Sequence, residues 1–383
     1  MQNEKRRDPS VVVIGAGMTG ILMAIKLREA GITNLTILEK TDRLGGTWRE
    51  NTYPGVACDV PAHMYTYSFE PNPDWTQMYA SGAEIYQYFE KVGRKYGVTN
   101  TVRFNEAVTD CVYDNGKWIV TTAKGDIITA DFVVNSTGIL HHPVMPTIDG
   151  LDTFEGVKFH TAQWNHDVDL AGKKVGIIGT GSTAAQVIPE VAKEAAKLTV
   201  FQRTPNWFLP FGNQDFSEKF RAKLRKNPNS VRRLRAIYIW VFTHFLTKAV
   251  TGHPVQNFFF RNIAKAYHRF AIKDPELREK LTPDFKVGCK RVVINTTFFP
   301  AMQRDNVGLV TDGISEITPR GVKTKDGREH EFDVLILSTG FNPTAFMRPM
   351  NMTGKDGLKI DDAWENKIHT YRSLFLPKFP NFF

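Results

Sequence analysis

Residues 11–20, VVVIGAGMTG, contain the strongest indication of the fold of this chain. A run of β-branched residues leads into glycines spaced GxGxxG, and an apolar segment with a helical pattern, ILMAIKLREAG, follows. This order of strand, glycine turn and helix is typical of a dinucleotide-binding βαβ unit. Gly15 makes the tight turn, Gly17 lets the backbone approach a pyrophosphate, and Gly20 lets the helix pack on the strand.

The next strand of this unit, LTILE, ends at Glu39, nineteen residues after Gly20. A carboxylate at this point accepts hydrogen bonds from ribose hydroxyls, and it repels a 2′-phosphate. The first unit is therefore predicted to bind an adenine dinucleotide that lacks that phosphate, such as FAD or NAD.

A second unit repeats the pattern in KKVGIIGTGSTA, residues 173–184, where Gly179, Gly181 and Ser182 form the phosphate-binding turn. Its next strand, LTVFQR, ends at Arg203, nineteen residues after the closing alanine of the turn. A guanidinium binds phosphate oxygens through two parallel hydrogen bonds, so this unit is predicted to prefer NADPH.

The opposite charges at the two strand ends predict a flavoprotein that NADPH reduces. Two sites for the same nicotinamide cofactor, the alternative, would not need opposite charges. The apolar strands ADFVVNSTG (130–138) and FDVLILSTG (332–340) flank the second unit, and glycine at such a strand end lets the chain cross between domains. We therefore predict an α/β fold with two Rossmann-like domains, the NADPH domain being inserted into the FAD domain.

Composition excludes several other classes. The three cysteines among 383 residues form no CxxC pair, which argues against a disulfide framework, a metal site or a dithiol centre and suits the cytoplasm. The longest apolar run, 236–250, is shorter than the roughly 20 residues of a bilayer span. The net charge of +9 comes without any nucleic-acid recognition motif, and the basic run EKFRAKLRKNPNSVRRLR is read as a solvated face.

Taken together, these motifs resemble the class B flavoprotein monooxygenases, and within them the type I Baeyer–Villiger monooxygenases. The resemblance runs over residues 11–383 and rests on GAGMTG, GGTWRENTYPGVACDVPAHMYTYSF, FEGVKFHTAQW, GTGSTA with VFQRTP, GCKR and the two STG segments. Phe154, Gly156, His160 and Trp164 match the family signature FxGxxxHxxxW. Asn165 departs from it, since the family has Pro or Asp at that position.

The resemblance implies a reaction in which NADPH reduces bound FAD and dioxygen adds to the flavin. The resulting flavin peroxide attacks a ketone to give an ester or lactone. Arg291 matches the active-site arginine and Asp59 matches the carboxylate that hydrogen-bonds it. The resemblance also assigns Gly46, Thr47 and Trp48 to a loop that covers the flavin, and Gln186, Thr204 and Lys290 to contacts with NADPH. The signature residues would form an interdomain linker that couples domain movement to cofactor position, with His160 as the gating group.

The implied domain boundaries are 1–145 and 332–383 for the FAD domain, 146–171 for the linker and 172–331 for the NADPH domain. A helical insert is expected at 216–281. Family members continue beyond the stretch LFLPKFPNFF, so the FAD domain is expected to be incomplete at its C-terminal end.

Three alternatives stay open at this point. One is a related flavin monooxygenase that oxygenates nitrogen or sulfur or hydroxylates alkyl chains. Another is a flavin disulfide reductase, which would need a cysteine pair, and the third is a nucleotide-binding form without turnover. The predicted partners are a ketone and O2, and neither nucleic acid nor a membrane span is expected. The aromatic run 237–245 could contact bulky apolar substrates or the surface of a membrane.

Overall fold

The computed structural model describes residues 8–383, and residues 1–7, where the first predicted domain begins, lie outside this range. The chain forms two compact units. The first contains the N-terminal part up to Glu50 together with Ile85–His142 and Phe341–Phe383, and the second contains Asn51–Glu84 and Pro143–Gly340.

Strands and helices alternate at the two glycine turns, and elsewhere several strands or several helices follow one another. The strands are β1 (Val11–Ile14), β2 (Leu35–Leu38), β3 (Val102–Arg103), β4 (Val108–Asp114), β5 (Lys117–Thr122), β6 (Ile127–Ala130), β7 (Phe132–Asn135), β8 (Val157–His160), β9 (Lys174–Ile178), β10 (Lys197–Phe201), β11 (Phe208–Leu209), β12 (Val293–Ile294), β13 (Val307–Val310), β14 (Ile314–Thr318), β15 (Gly321–Thr324), β16 (Glu329–Glu331), β17 (Val334–Leu337) and β18 (Asn351–Thr353). The α-helices are α1 (Met18–Glu29), α2 (Thr47–Glu50), α3 (Gly82–Lys95), α4 (Ser182–Glu194), α5 (Glu218–Lys226), α6 (Pro228–Val241), α7 (Lys248–Val250), α8 (Pro254–Ala271), α9 (Pro275–Leu281), α10 (Phe298–Met302) and α11 (Ile360–Ala363).

The first unit is built on a parallel sheet in the order β3-β2-β1-β7. All four residues of β1 are buried, as expected for a strand covered on both faces. A second sheet, β18-β4-β5-β6, supplies the other core of this unit around Trp118. The indole N–H of Trp118 donates to the carbonyl of Pro380 at 2.8 Å, so the last residues of the chain belong to this core.

The second unit contains a five-stranded parallel sheet in the order β13-β10-β9-β17-β8. Helix α4 follows β9 directly and buries Ala184, Val187 and Ile188 against this sheet. Each unit thus has its own glycine turn between a central parallel strand and a helix. The predicted α/β fold with two Rossmann-like sheets is confirmed.

The unit boundaries differ from those that the sequence implies. Strand β17 pairs with β9 on one side and β8 on the other, so residues 332–340 complete the second sheet and the first unit resumes at Phe341. The predicted linker likewise contributes β8 to this sheet. Residues 51–84, expected in the first domain, cluster with the second unit.

Helices α5 to α9 lie within the range expected for the helical insert. Helix α6 continues through a π-helical turn, Phe242–Thr247, into α7, and α8 follows after a short break. Among residues 8–383, no helix combines the length and the hydropathy needed to cross a bilayer.

Candidate active site

The turn after β1 brings backbone atoms so close together that side chains are excluded. Gly15 has a φ of +99°, and a Cβ there would lie 2.7 Å from the carbonyl oxygen of Ser136. A Cβ on Gly20 would lie 2.0 Å from the carbonyl oxygen of Gly15, which is why α1 can pack directly on the turn. Among the described residues no side chain caps Gly17, and the first turn of α1 holds no acid. The positive end of the helix dipole is therefore available to an anion.

Glu39 lies buried at the end of β2, beside this turn. Its Oε2 accepts a hydrogen bond from the Ala16 N–H at 2.8 Å, and its Oε1 accepts from the N–H and hydroxyl of Thr41 at 3.0 and 2.7 Å. The sequence predicted the position of this carboxylate but not its bond to the glycine turn. These bonds fix the carboxylate in the structure, whereas its contact with ribose hydroxyls stays a prediction.

The predicted flavin-covering loop packs on the same turn. Gly45 donates its N–H to the carbonyl of Ala16 at 3.1 Å, and a Cβ on Gly46 would lie 3.1 Å from the Cα of Gly17. Thr47 and Trp48 then begin the short helix α2. The first unit thus brings Gly15, Gly17, Gly20, Glu39, Gly46, Thr47 and Trp48 into one region of its structure.

The second turn has the same design. Gly179 has a φ of +115°, and a Cβ there would lie 2.3 Å from the carbonyl oxygen of Ser338. At Gly181 the space within 4 Å of a Cβ is empty of described protein atoms, which leaves room for a ligand to approach the backbone. Ser182 begins α4, whose first turn contains no acidic residue in the described structure. This helix end suits a pyrophosphate as well.

Arg203 follows the end of β10, next to the strand that leads into this turn. Its side chain is exposed and has no ion-pair partner within the part of the chain that the structure describes. The carbonyl of the neighbouring Thr204 accepts a hydrogen bond from the Thr180 hydroxyl at 3.2 Å, which ties this loop to the glycine turn. The second unit therefore presents an unneutralised guanidinium at the predicted 2′-phosphate position.

Arg291 and Asp59, separated by 232 residues of sequence, are in direct contact. Nη2 of Arg291 donates to Oδ2 of Asp59 at 2.6 Å. The arginine side chain is 66% exposed and the aspartate 25% exposed, so the carboxylate holds the guanidinium while its other donors stay accessible. Both residues belong to the second unit, because the loop that carries Asp59 clusters there.

Gln186 on α4 holds that loop in place. Its Nε2 donates to the carbonyl of Ala57 at 2.9 Å, and its Oε1 accepts from the Tyr53 hydroxyl at 3.0 Å. Burial of this phenol raises the pKa of Tyr53 to about 12, so it remains a donor. The structure thus engages both amide heteroatoms of Gln186, predicted as an NADPH contact, in positioning the segment that leads to Asp59. Tyr53 was missed by the sequence analysis, and no spacing rule could have found a partner 133 residues away.

The neighbourhood of Arg291 contains a second cation and two unlike cysteines. The ammonium of Lys290 lies 4.7 Å from the ring centroid of Phe285, and Cys289 is exposed. Cys58, next to Asp59, is buried, and burial raises the pKa of its thiol to about 12. Within residues 8–383 the cysteines form no pair and no group of side chains could hold a metal. A dithiol centre of the disulfide-reductase type is therefore not formed here.

The signature residues are built into the second unit. His160 ends β8 as a buried side chain whose Nδ1 accepts from the Ala162 N–H at 3.0 Å. Burial lowers the pKa of His160, and a hydrogen bond with the Gly340 backbone opposes this shift. The rings of Phe159 and Trp164 meet edge to face at 5.0 Å. The gating role of His160 stays a prediction, whereas its capping of the turn after β8 is a feature of the structure.

Gly156 gives a test of the packing around this signature. A Cβ there would lie 2.6 Å from Cζ of Phe154 and 2.7 Å from the carbonyl oxygen of Asp333, which is itself held by the N–H of Val157. We expect Gly156→Ala to lower the free energy of unfolding by about 1–3 kcal/mol, measured by urea denaturation. Gly308→Ala in β13 is the matched control, since its Cβ would meet no described atom within 4 Å. Equal stability of the two variants would contradict this account.

Two glycine turns with opposite charges at the following strand ends define a class of oxidoreductase that uses two dinucleotides. Residues 12–239 match the pyridine nucleotide-disulphide oxidoreductase family. The chain is 40% identical to a Baeyer-Villiger monooxygenase of Streptomyces coelicolor, over 97% of its own length and 72% of that protein.

Solved structures extend the comparison. An oxidized steroid monooxygenase bound to NADP superposes with a TM-score of 0.87 at 33% identity, covering 98% of this chain and 80% of that chain. An open structure of cyclohexanone monooxygenase superposes with a TM-score of 0.83 at 31% identity, covering 98% and 81%. The chain belongs to the type I Baeyer–Villiger monooxygenase family, as its motifs predict.

Proposed function

We propose that this protein is an FAD- and NADPH-dependent monooxygenase that inserts one oxygen atom of O2 next to a ketone carbonyl, giving an ester or lactone. The contact between Arg291 and Asp59 is the observation that carries the proposal. A family fold alone would not distinguish ketone oxidation from other flavin chemistry, because function depends on the groups at the site. A fixed, accessible guanidinium is the group that this reaction needs.

The first glycine turn fits FAD. Gly17 and the uncapped start of α1 would receive the pyrophosphate, and Glu39 would bind the adenosine ribose. When bound, FAD supplies the ring that takes electrons from NADPH and activates dioxygen. The protein's own contribution is to hold these groups in place and to control charge around the reacting oxygen.

Arg291 is suited to controlling that charge. A guanidinium keeps its positive charge across the working pH range, so it stabilises negative charge on a neighbouring oxygen without giving up its proton. The 2.6 Å hydrogen bond that Arg291 donates to Asp59 fixes the direction of the guanidinium, and its remaining N–H groups would point at the reacting oxygen or the ketone. Gln186 supports this arrangement by anchoring the loop of Asp59 to α4.

The second glycine turn fits NADPH. Gly179, Gly181 and Ser182 would hold the pyrophosphate, while Arg203 and Lys290 would bind the 2′-phosphate. Arg203 supports this assignment because its guanidinium is exposed and carries no counter-ion in the described chain.

Arg203 also decides between the two nicotinamide cofactors. We expect Arg203→Ala to raise the KM for NADPH about 10- to 100-fold, because a charge-assisted pair to the 2′-phosphate is lost. The KM for NADH should hardly change, since NADH has no such phosphate. Steady-state oxidation of each cofactor measures both values. Lys197→Ala, an exposed cation at the opposite end of β10, serves as control and should alter neither. An equal effect of Arg203→Ala on the two cofactors would rule out this role.

Product analysis tests the reaction itself. Purified enzyme should carry a yellow flavin and convert cyclic, linear or aryl ketones to esters or lactones that contain one atom from labelled dioxygen. Oxygenation of amines or sulfides without any ester from ketones would favour the related flavin monooxygenases. A colourless protein that does not oxidise NADPH with added FAD would leave only a nucleotide-binding form.

The state of the cysteines indicates the cellular compartment of the protein. All three are free, two of them buried, and none lies in a pair that could cross-link. Free thiols persist in reducing compartments, so we place the protein in the cytoplasm.

A further inference from the structure

The excess positive charge of the chain is concentrated in a single span. Residues 227–272, which contain α6, the π-helical turn, α7 and α8, hold seven Lys and Arg residues and no Asp or Glu. The net charge of the whole chain is +9, so the remainder is almost neutral. Among residues 8–383, none of these seven cations has an ion-pair partner: Arg232, Arg233, Arg235, Lys248, Arg261, Lys265 and Arg269.

Helix α8 is apolar on two opposite faces. One face buries Phe260, Ala264 and His268 in the core of the insert. The other face exposes a stripe of apolar side chains: Val255, Phe258, Phe259 and Phe270. Their spacings of three, four and eleven residues place them on one side of the helix. Phe258 is 64% exposed and Phe270 is 79% exposed. The solvent face of a helix in a globular protein is normally polar.

Cations flank this exposed stripe. Arg261, Lys265 and Arg269 follow one another at i, i+4 and i+8 along α8, a spacing at which like charges repel and destabilise the helix. All three line a surface cavity of about 950 Å³, together with two further cations and two carboxylates: Arg278, Lys286, Glu279 and Asp284. Phe258 lines a neighbouring cavity that shares Arg261 and Lys265. Apolar and cationic groups are thus interleaved.

Helix α6 repeats the combination. Ile237 and Trp240 are exposed, and the cations Arg232 and Arg233 lie one to two turns before them. Tryptophan and phenylalanine prefer the boundary between lipid headgroups and acyl chains, and lysine and arginine bind anionic headgroups. A protein partner would supply carboxylates at a few discrete positions. This surface instead has cations along two helices beside an apolar stripe, which favours a lipid surface over a protein partner.

We propose that the exposed apolar side chains of α6 and α8 and the cations that flank them dock on an anionic phospholipid bilayer; the apolar set is Ile237, Trp240, Val255, Phe258, Phe259 and Phe270. The phenylalanines and Trp240 would enter the interface between headgroups and acyl chains, and the flanking cations would bind lipid phosphates. The attachment is peripheral, since no described helix can span a bilayer. This inference goes beyond the oxidation reaction and does not depend on it.

Vesicle sedimentation of the flavin-loaded protein tests the proposal. We expect binding to vesicles of phosphatidylcholine with phosphatidylglycerol, little binding to phosphatidylcholine alone, and release at about 0.5 M salt. The double variants Phe258→Ser with Phe259→Ser, and Lys265→Glu with Arg269→Glu, should each weaken binding about tenfold or more. The matched controls in the first unit, Ile127→Ser and Lys91→Glu, alter an exposed apolar residue and an exposed cation and should bind like the parent protein.

Vesicle binding is measured without turnover, so its outcome is separate from that of the ketone assay. Far-UV circular dichroism and the amount of FAD retained by each variant show that the fold is intact. Equal binding to neutral and anionic vesicles, or unchanged binding by both double variants, would overturn the proposal. Sedimentation velocity tests whether the stripe is instead a contact between copies of this chain. Loss of an oligomer in the phenylalanine variant with unchanged vesicle binding would also overturn the proposal.

Discussion

Arg291→Ala is expected to lower ester or lactone formation by at least about a hundredfold while NADPH oxidation continues. The substitution removes the positive charge held by Asp59 at 2.6 Å, and with it the stabilisation of negative charge on the reacting oxygen. Arg203, which we assign to the 2′-phosphate, is untouched, so electrons should still reach the flavin. The measurement compares product, by mass spectrometry with labelled dioxygen, with NADPH consumed and hydrogen peroxide released.

Two further variants make this result specific. Arg291→Lys keeps a charge but loses the planar fork, so we expect activity between that of the parent enzyme and the alanine variant. Arg304→Ala removes an exposed arginine elsewhere in the same unit and should leave both rates unchanged. Product formation by Arg291→Ala at the parental rate would remove the basis for the proposed function.

The second large effect is on the affinity for FAD. Alanine variants of two glycines distinguish a loss of FAD binding from a loss of stability. A Cβ on Gly17 would have its nearest contact at 3.6 Å, on the Cα of Gly46, and Gly17 has an ordinary φ of −75°. Gly17→Ala should therefore fold normally but bind FAD at least about tenfold more weakly, because the methyl group occupies the place where the pyrophosphate meets the backbone. Titration of the apoprotein with FAD, followed by fluorescence, measures the affinity.

Gly20→Ala should act on the fold instead. Its Cβ would lie 2.0 Å from the carbonyl oxygen of Gly15, so α1 must move away from β1, and we expect a loss of about 3 kcal/mol or more in the free energy of unfolding of the apoprotein. Chemical denaturation without FAD measures it. If Gly17→Ala binds FAD as tightly as the parent protein, the phosphates do not lie on this turn.

The features that the sequence predicted are those encoded over short distances. Gly15, Gly179 and the two strand ends lie within βαβ units, where spacing alone determines which backbone groups and charges meet. The opposite charges of Glu39 and Arg203 could be read in this way, and the structure places both residues at the ends of parallel strands beside their turns.

Features that depend on contacts between residues far apart in the sequence could not be predicted from spacing. Residues 51–84 follow the first unit in sequence, yet they join the second because Gln186 bonds to Tyr53 and Ala57 and because Arg291 bonds to Asp59. The signature was matched as a motif, but the reason for its glycine, the close approach of Phe154 and the Asp333 carbonyl, needs the strand pairing of β8 with β17.

The unequal exposure of the cysteines has a practical consequence. Cys58 and Cys111 are buried, and burial raises the pKa of each thiol to about 12, so neither is readily converted to the reactive thiolate. Cys289 is exposed and lies two residues before Arg291. A maleimide dye would therefore attach at a single point beside Arg291 without any engineering, and a change in its emission on adding NADPH or a ketone would test whether either ligand binds there.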